Sequence, residues 1–161
     1  MDDIRIGFGT DIHRLVAGRT LVIGGVIIRS ELGADGHSDA DVLLHALTDA
    51  LLGALALGDI GMHFPNNDER WKGAKSAAFV AHAVDLIGEE GYEIGNVDAT
   101  IDLEAPKLRP YIDPMRSSIA EMTGIELSRV SIKAKTGEHI GPVGESRAVT
   151  AQCVVLVKRK N

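Results

Sequence analysis

Cysteine is nearly absent from this 161-residue sequence, and so are long hydrophobic runs. The single thiol, Cys153, lies in the apolar run AQCVVLV, cannot form an intrachain disulfide, and is predicted to be a buried strand residue. No segment reaches the roughly 18 consecutive apolar residues of a membrane-spanning helix, and the acidic start MDDIRIG is unlike a targeting peptide. These features predict that the chain does not span a membrane and that it resides in a reducing cytoplasm.

Aromatic residues are also scarce, at 4% of the chain, so aliphatic side chains and alanine must build the core. A subunit interface could supply further burial. The formal net charge is -6, and no block of Lys or Arg precedes the terminal KRKN, which argues against nucleic acid or an anionic membrane as a partner. An anionic substrate would therefore need local positive charge from a metal ion, helix N-termini or a few placed basic side chains.

The order of the predicted elements defines the expected fold class. The length suits one domain, residues 1–161. Apolar periodicity predicts helices over 39–57, 74–91 and 109–124. Alternation predicts strands over 4–16, 93–105, 128–136 and 148–159, and a hairpin turning at Gly24 and Gly25. This order predicts an α+β fold, an α/β sandwich with a single mixed sheet and helices packed on one face.

Some residues carry local signals within this plan. Gly7 and Gly9 indicate points where the first strand approaches another backbone closely. Ser38 or Asp39 is expected to cap the first helix. The segments 32–41, 58–68 and 137–146 are rich in turn-forming residues and are predicted to be loops.

A carboxylate and two imidazoles form a candidate metal site. Asp11 and His13 are two residues apart on a predicted strand, so their side chains point to the same face. His45, on a helix packed against that strand, would complete a three-ligand set that suits Zn²⁺ or a similar divalent ion and leaves a fourth position open. Asp41 or Asp49 could orient the other ring nitrogen of His45. The alternative is a chance D-x-H pair beside an ordinary core histidine.

Several loops could bind phosphate. The segment GHSDAD precedes a helix N-terminus, which favours an anion, although an ordinary helix cap explains it as well. EAPKLRP offers Lys107 and Arg109 for a phosphate or nucleotide, or is a solvated loop. KAKTGEHIG offers Lys133, Lys135 and Thr136, with the carboxylate of Glu138. No P-loop motif and no G-x-S-x-G elbow is present.

Taken in order, these pieces resemble one enzyme family, 2-C-methyl-D-erythritol 2,4-cyclodiphosphate synthase of the non-mevalonate isoprenoid pathway. The similarity runs from about residue 5 to the final strand, and the segment from 36 to 65 is its longest and most specific part. The matching segments are GFGTDIHRL, IGGVIIR, GHSDADVLLHALTDALLGALALGDIGMHFP, WKGAKS, GNVDATI, APKLRPYIDPMR and VSIKAKTGE.

The resemblance implies an intramolecular phosphoryl transfer. The 2-phosphate of 4-diphosphocytidyl-2-C-methyl-D-erythritol 2-phosphate attacks the β-phosphorus, closes a cyclic diphosphate and expels CMP, so the enzyme would be a phosphorus-oxygen lyase. It implies that Asp11, His13 and His45 hold Zn²⁺ and that Glu138 is the ligand of a second divalent ion, Mg²⁺ or Mn²⁺. His37 and Thr136 would position the reacting phosphates and stabilise the transition state.

The resemblance also implies a substrate site shared between the subunits of a homotrimer. One chain would contribute the metal side and the methylerythritol side, and its neighbour would contribute the cytidine pocket. The substrate-binding residues implied are Asp59, Ile60, Gly61, Phe64, Pro65, Asn66, Asn67, Asp68, Ala105, Pro106, Lys107, Leu108, Arg109, Lys135 and Glu138.

The sequence departs from common family motifs in a few places. Asn66 stands where many members have a carboxylate, and Pro142 replaces a common Phe. Glu145 stands where many members place an Arg on the trimer axis, and Arg147 follows two residues later, so the resemblance is weakest at that axis. Two other functions share the same metal set, a zinc phosphohydrolase and a trimeric binding protein without catalysis. Release of CMP without uptake of water separates the cyclase from the hydrolase, and turnover separates both from the binding protein.

Overall fold

Seven strands and five helices are formed by the residues that the computed structural model describes, 3–65 and 67–160. The strands are β1 (Ile4–Ala17), β2 (Leu21–Ile23), β3 (Val26–Ile28), β4 (Leu32–Ala34), β5 (Tyr92–Asp102), β6 (Val130–Lys135) and β7 (Ala148–Arg159). The helices are α1 (Val42–Ala54), α2 (Ile60–His63), α3 (Ala77–Glu89), α4 (Ile112–Thr123) and α5 (Gly141–Gly144). Short 3-10 turns lie at Glu69–Trp71, Arg109–Tyr111 and Leu127–Arg129.

Five of the strands form one mixed sheet in the order β4-β1-β7-β5-β6. β1 pairs antiparallel with β4 and β7, and β7 pairs antiparallel with β5, whereas β5 and β6 are parallel. The predicted mixed sheet and α+β class are therefore confirmed. β4 was not predicted, because its three residues lie in a segment whose composition is typical of a loop.

The hairpin β2–β3 corrects the prediction of a single sheet, since it forms its own two-stranded sheet. Its turn is where the sequence placed it, with φ of 62° at Gly24 and 76° at Gly25, as a tight primed turn requires. The hairpin buries Leu21, Ile23 and Ile28. It packs on α1 and α4, so these three residues are covered by helices, whereas Ile27 stays exposed.

The helices lie over one face of the sheet, as predicted. α1 packs on β1 and β7, α3 packs on α1 and β5, and α4 packs on α3 and β6. The opposite face of β1 carries large apolar side chains that are 53–68% exposed. These are Ile4, Ile6, Phe8 and Ile12, and Val154 of β7 is also exposed.

Gly7 and Gly9 are the points where β1 touches the backbone of α1. A Cβ atom at Gly9 would lie 2.0 Å from the carbonyl oxygen of Ala46, and one at Gly7 would lie 1.8 Å from that of Ala50. The predicted close approach is thus confirmed. It places the next residues on the same face of β1, among them Asp11, beside α1.

Asp41, and neither Ser38 nor Asp39, is the N-cap of α1. Its carboxylate accepts a hydrogen bond from the backbone N–H of Leu44 at 3.0 Å. It also accepts hydrogen bonds from the N–H groups of Gly24 at 2.8 Å and Gly25 at 2.7 Å, which tie the hairpin to the helix. The predicted cap was therefore wrong, because a contact 17 residues away along the chain decided which carboxylate faces the helix end.

Cys153 is fully buried in β7, as predicted. Burial raises the pKa of its thiol to about 12, so the reactive thiolate is not formed near neutral pH. Among the helices of residues 3–65 and 67–160, none has the length and apolar character needed to cross a membrane.

Candidate active site

Asp11, His13 and His45 converge on one point, as the spacing of the three residues predicted. Nε2 of His13 lies 2.9 Å from Oδ2 of Asp11 and 3.1 Å from Nδ1 of His45. Nδ1 of His45 lies 3.0 Å from the same Asp11 oxygen. The three ligand atoms thus form a nearly equilateral triangle. A tetrahedral zinc ion with ~2.0–2.1 Å bonds separates its ligand atoms by about 3.3–3.4 Å, so the triangle is close to one face of such a site.

The hydrogen bonds around the triangle account for its chemistry. Nδ1 of His13 lies 2.9 Å from the carbonyl oxygen of Asp35, which can only accept, so this nitrogen carries a proton and, in the neutral ring, Nε2 has a free lone pair. Nε2 of His45 faces the hydroxyls of Ser76 at 2.8 Å and Ser38 at 3.1 Å. Lone pairs and a carboxylate therefore point at one position, and a divalent cation there fits the donor set.

The electrostatics agree with this arrangement. Burial alone would raise the pKa of Asp11, but the adjacent imidazoles of His13 and His45 outweigh it and lower the pKa to about 2. Burial alone would lower the pKa of His13, but the adjacent carboxylate of Asp11 raises the pKa above its ordinary value. In both residues the cluster favours a negative oxygen facing a positive centre.

The predicted orienting residues of His45 are corrected by the structure. Asp41 is engaged by the hairpin and the helix cap. Oδ1 of Asp49 accepts a hydrogen bond at 2.7 Å from the backbone N–H of Ile60 and so holds the following loop. Ser38 and Ser76 contact the ring of His45 instead. Nothing in the sequence singles out Ser76, because it lies 31 residues from His45.

A cavity of about 330 Å³ opens at the candidate metal ligands Asp11, His13 and His45. His37, Ile60 and Phe64, which were predicted from the sequence, line it together with these three residues. Trp71 and Phe79, which sequence reasoning missed, form its aromatic wall. Their rings pack on Phe64, with centroids 4.9 Å and 4.5 Å away. Three of the six aromatic residues of the chain thus line this cavity.

The loop predicted to hold the methylerythritol lies next to this cavity. The carboxylate of Asp59 accepts from the N–H of Met62 at 2.9 Å and starts α2, which carries Ile60 and Gly61. Pro65 and Asn67 are exposed beyond it. Asp68 bonds Arg70, and Asn66 lies outside the described residues.

A second cavity, of about 410 Å³, contains the basic residues predicted to meet the nucleotide. Lys107, Leu108, Arg109, Lys135 and Thr136 line it. At its edge the Thr136 hydroxyl donates to the Glu138 carboxylate at 2.6 Å. Ala105 and Pro106 line a different cavity, of about 540 Å³.

The two cavities lie apart within one chain and share no lining residue. Strand register gives their separation, because Asp11 pairs with Ala151, Ala151 with Ile101, and Ile101 with Ala134. Three strand spacings place the Asp11 backbone about 14 Å from that of Ala134, two residues before Thr136. One chain therefore does not bring Thr136 to the metal position.

Glu138 stands alone as a candidate ligand. Within residues 3–65 and 67–160, only one group of three or more His, Cys, Asp or Glu side chains is close enough to hold an ion together. This group is Asp11, His13 and His45. Glu138 thus offers one carboxylate, which suits an ion that takes its other ligands from water and substrate phosphates.

Comparison with known proteins places the chain in a family. The model of the YgbB family matches residues 4–158. The chain belongs to the YgbB family. The family resemblance of the sequence is confirmed by a relative named 2-C-methyl-D-erythritol 2,4-cyclodiphosphate synthase, from Solibacter usitatus, which is 52% identical over 99% of this chain and 100% of its own length.

Solved structures share the fold. The bifunctional IspDF of Campylobacter jejuni is 36% identical with a TM-score of 0.96, and the match covers 100% of this chain and 44% of that one. A CDP complex of IspF from Plasmodium falciparum is 37% identical with a TM-score of 0.87, and the match covers 98% of this chain and 97% of that one.

Proposed function

We propose that this protein converts 4-diphosphocytidyl-2-C-methyl-D-erythritol 2-phosphate to 2-C-methyl-D-erythritol 2,4-cyclodiphosphate and CMP, as a phosphorus-oxygen lyase of the non-mevalonate isoprenoid pathway. The observation that carries the proposal is the triangle of Asp11, His13 and His45 at the mouth of a cavity. A divalent cation held there would supply local positive charge in a chain with a net charge of -6. The relative from Solibacter usitatus is named as the synthase of the same cyclic product. A cytoplasmic location stays a prediction from the sequence.

The proposed reaction needs positioning and charge neutralisation more than covalent chemistry. An oxygen of the 2-phosphate forms a bond to the β-phosphorus, the bond from that phosphorus to the oxygen bridging to the α-phosphorus breaks, and CMP leaves with the electron pair. No water and no redox partner is consumed. A solvent-excluding wall therefore favours cyclisation over hydrolysis, and the aromatic rings of Phe64, Trp71 and Phe79 provide one beside the metal ligands.

The predicted metal ligands and phosphate-contacting residues have distinct roles in this proposal. Asp11, His13 and His45 would hold Zn²⁺, and Glu138 would bind Mg²⁺ or Mn²⁺. When bound, these ions supply positive charge that polarises the phosphate oxygens. His37 lines the metal cavity and would position the attacked phosphate. The basic residues of the second cavity, among them Lys107, would attract the diphosphate.

A site shared between subunits follows from the separation of the two cavities. If Thr136 and the zinc ligands act on the same phosphates, about 14 Å within one chain is too far, and a second chain must supply one half. The exposed apolar face of β1 supports assembly of the proposed homotrimer, because it includes Phe8, 61% exposed, and Ile6, 68% exposed.

The function is tested by following the reaction with phosphorus NMR. Purified protein, the diphosphocytidyl substrate and Mg²⁺ should give a cyclic diphosphate signal together with CMP, and mass spectrometry in ¹⁸O-water should find no label in the product. Open-chain phosphates that carry ¹⁸O would establish a phosphohydrolase instead. Tight binding without any product would establish a binding protein.

A mixing experiment tests the shared site. His13→Ala removes the metal side of a site and Lys107→Ala removes the nucleotide side, so each homotrimer should be inactive. Trimers assembled from both chains should recover activity, since some sites combine the intact His13 of one chain with the intact Lys107 of the other. Verified mixed trimers without activity would show that both residues must come from one chain.

Thr136→Val tests the proposed catalytic hydroxyl. The substitution keeps the β-branched shape and removes the donor. Since a donor aimed at charge developing on a phosphate oxygen typically contributes ~100-fold or more to turnover, we expect turnover to fall by about that factor. Zinc content and affinity for CDP should stay near the wild-type values. A variant that is less stable but fully active would show that Thr136 is only a structural residue.

A further inference from the structure

The hydroxyl of Ser76 bonds two side chains outside its own helix. Ser76 occupies the N-cap position of α3, where a serine side chain ordinarily accepts a hydrogen bond from the first turn of its own helix, but it makes no such bond. The residue is fully buried. Its hydroxyl instead lies 2.8 Å from Nε2 of His45 and forms a short hydrogen bond with the carboxylate of Asp39.

Counting protons gives the direction of these bonds. An ionised carboxylate only accepts, so the single hydroxyl proton of Ser76 is donated to Oδ1 of Asp39. The Ser76 oxygen can then only accept from His45, and Nε2 of His45 must carry the ring proton. Nδ1 of His45 is consequently the nitrogen with the free lone pair, and it is the atom that faces Asp11 at 3.0 Å.

Backbone contacts hold this chain of bonds in place. Oδ2 of Asp39 accepts from the backbone N–H of Ser76 at 3.1 Å, so both carboxylate oxygens are engaged by one residue. The backbone N–H of Asp39 donates to the carbonyl oxygen of Ala74 at 3.0 Å. The segment before α1 and the segment before α3 are therefore joined by hydrogen bonds next to Nε2 of His45.

We propose that Asp39 and Ser76 are positioning residues that fix His45 in the Nε2–H tautomer and so present Nδ1 to the metal. This inference rests on the zinc site of the proposed function. Without the pair, the ring can place its proton on Nδ1 and donate it to Asp11. Zinc must then displace that proton and the hydrogen bond it makes. Loss of a partner of this kind typically lowers metal affinity by ~10–100-fold.

Two substitutions probe the pair in different ways. Ser76→Ala removes the acceptor of the Nε2 proton and leaves only the Ser38 hydroxyl, at 3.1 Å. Asp39→Asn is nearly isosteric and reverses the direction of the hydrogen bonds that link residue 39, Ser76 and His45. Its amide oxygen keeps the bond from the Ser76 N–H, and its NH₂ group donates to the Ser76 hydroxyl in place of Oδ1, giving up the bond at 3.3 Å that Oδ1 accepts from the backbone N–H of Asp41. The Ser76 hydroxyl then turns its proton toward Nε2 of His45. Asp39→Asn should therefore favour the Nδ1–H tautomer actively.

The first measurement is the tautomer of His45 in metal-free protein labelled with ¹⁵N-histidine, by long-range ¹H–¹⁵N NMR at pH 9, well above the ordinary imidazole pKa of about 6.5. We expect the Nε2–H form in the wild type, a mixture in Ser76→Ala and mainly the Nδ1–H form in Asp39→Asn. The same Nε2–H signal in all three proteins would overturn the proposal.

The second measurement is zinc affinity by competition with a chromogenic chelator. Ser76→Ala and Asp39→Asn should bind zinc ~10–100-fold more weakly, and Ser76→Thr, which keeps the hydroxyl, should recover most of the loss. Thr123→Val is the matched control, since it removes a buried hydroxyl that bonds only the carbonyl of Ile119 in its own helix, and it should bind zinc like the wild type. Equal weakening in the control would assign the effect to stability and overturn the positioning role.

Neither measurement depends on turnover, so the two proposals can fail separately. A wild-type protein that makes no cyclic product while its variants shift tautomer and lose zinc affinity would refute the proposed reaction and support the positioning role. An active wild type whose variants bind zinc unchanged would do the opposite.

Discussion

Replacing His45 by alanine should leave the purified protein without zinc and reduce turnover by about three orders of magnitude or more. His45 supplies one corner of the ligand triangle, and Asp11 and His13 alone are left with two ligands, fewer than zinc sites use. Because the ion is proposed to stabilise charge on the reacting phosphates, its loss removes several kcal/mol of transition-state stabilisation. Elemental analysis and the phosphorus NMR assay on the same preparation measure both effects.

His82→Ala is the matched control for that experiment. His82 is also a helix histidine in contact with an aromatic ring, but its Nε2 bonds His63 at 3.0 Å and not the ligand triangle. It should keep about one zinc per chain and near wild-type turnover. If His45→Ala retains a full zinc complement, the assignment of this ligand is wrong.

Gly9→Ala should destabilise the fold strongly, because the added methyl group has no room against α1. The new Cβ would lie 2.0 Å from the carbonyl oxygen of Ala46 and 2.7 Å from the nitrogen of Ala50, and both are backbone atoms of a buried helix. Since no side chain can move aside, β1 must withdraw from α1. Overpacking of a core usually costs ~1–3 kcal/mol of unfolding free energy, and we expect about 3 kcal/mol or more here.

In a chain of this length such a loss lowers the melting temperature by about 6–12 °C. Gly53→Ala is a control in which the free energy of unfolding should change in the opposite direction. Gly53 is an exposed residue of α1, and its new Cβ would meet only the carbonyl oxygen of Phe8, at 4.0 Å. Alanine has the higher helix propensity, so this variant should be more stable by about 0.5–1 kcal/mol. Thermal melts of both variants decide the matter, and a Gly9→Ala protein that melts with the wild type would refute the close packing.

Withdrawal of β1 should also affect the metal site. Asp11 and His13 lie two and four residues beyond Gly9 on the same face of β1, whereas His45 is on α1. The two elements must stay in register for the triangle to close. The folded fraction of Gly9→Ala should therefore bind zinc more weakly than Gly53→Ala does.

The sequence by itself determined which side chains share a face. The two-residue period of a strand put Asp11 with His13, and the helical period put His45 on the element that covers them. Paired glycines predicted both the hairpin turn and the close approach of β1 to α1. These features depend on periodicity and backbone freedom, which are properties of short segments, and the structure confirmed each of them.

Only the tertiary structure decided which distant groups meet. Asp41 and Asp49 share a helix with His45, yet their carboxylates bond the backbone of Gly24 and Ile60, and Ser76 reaches the imidazole from 31 residues away. The separation of Thr136 from the metal position likewise follows from the order of β1, β7, β5 and β6 in the sheet. A hydrogen bond depends on positions fixed to within tenths of an ångström, and the periodicity of one segment carries no information about where another segment will pack against it.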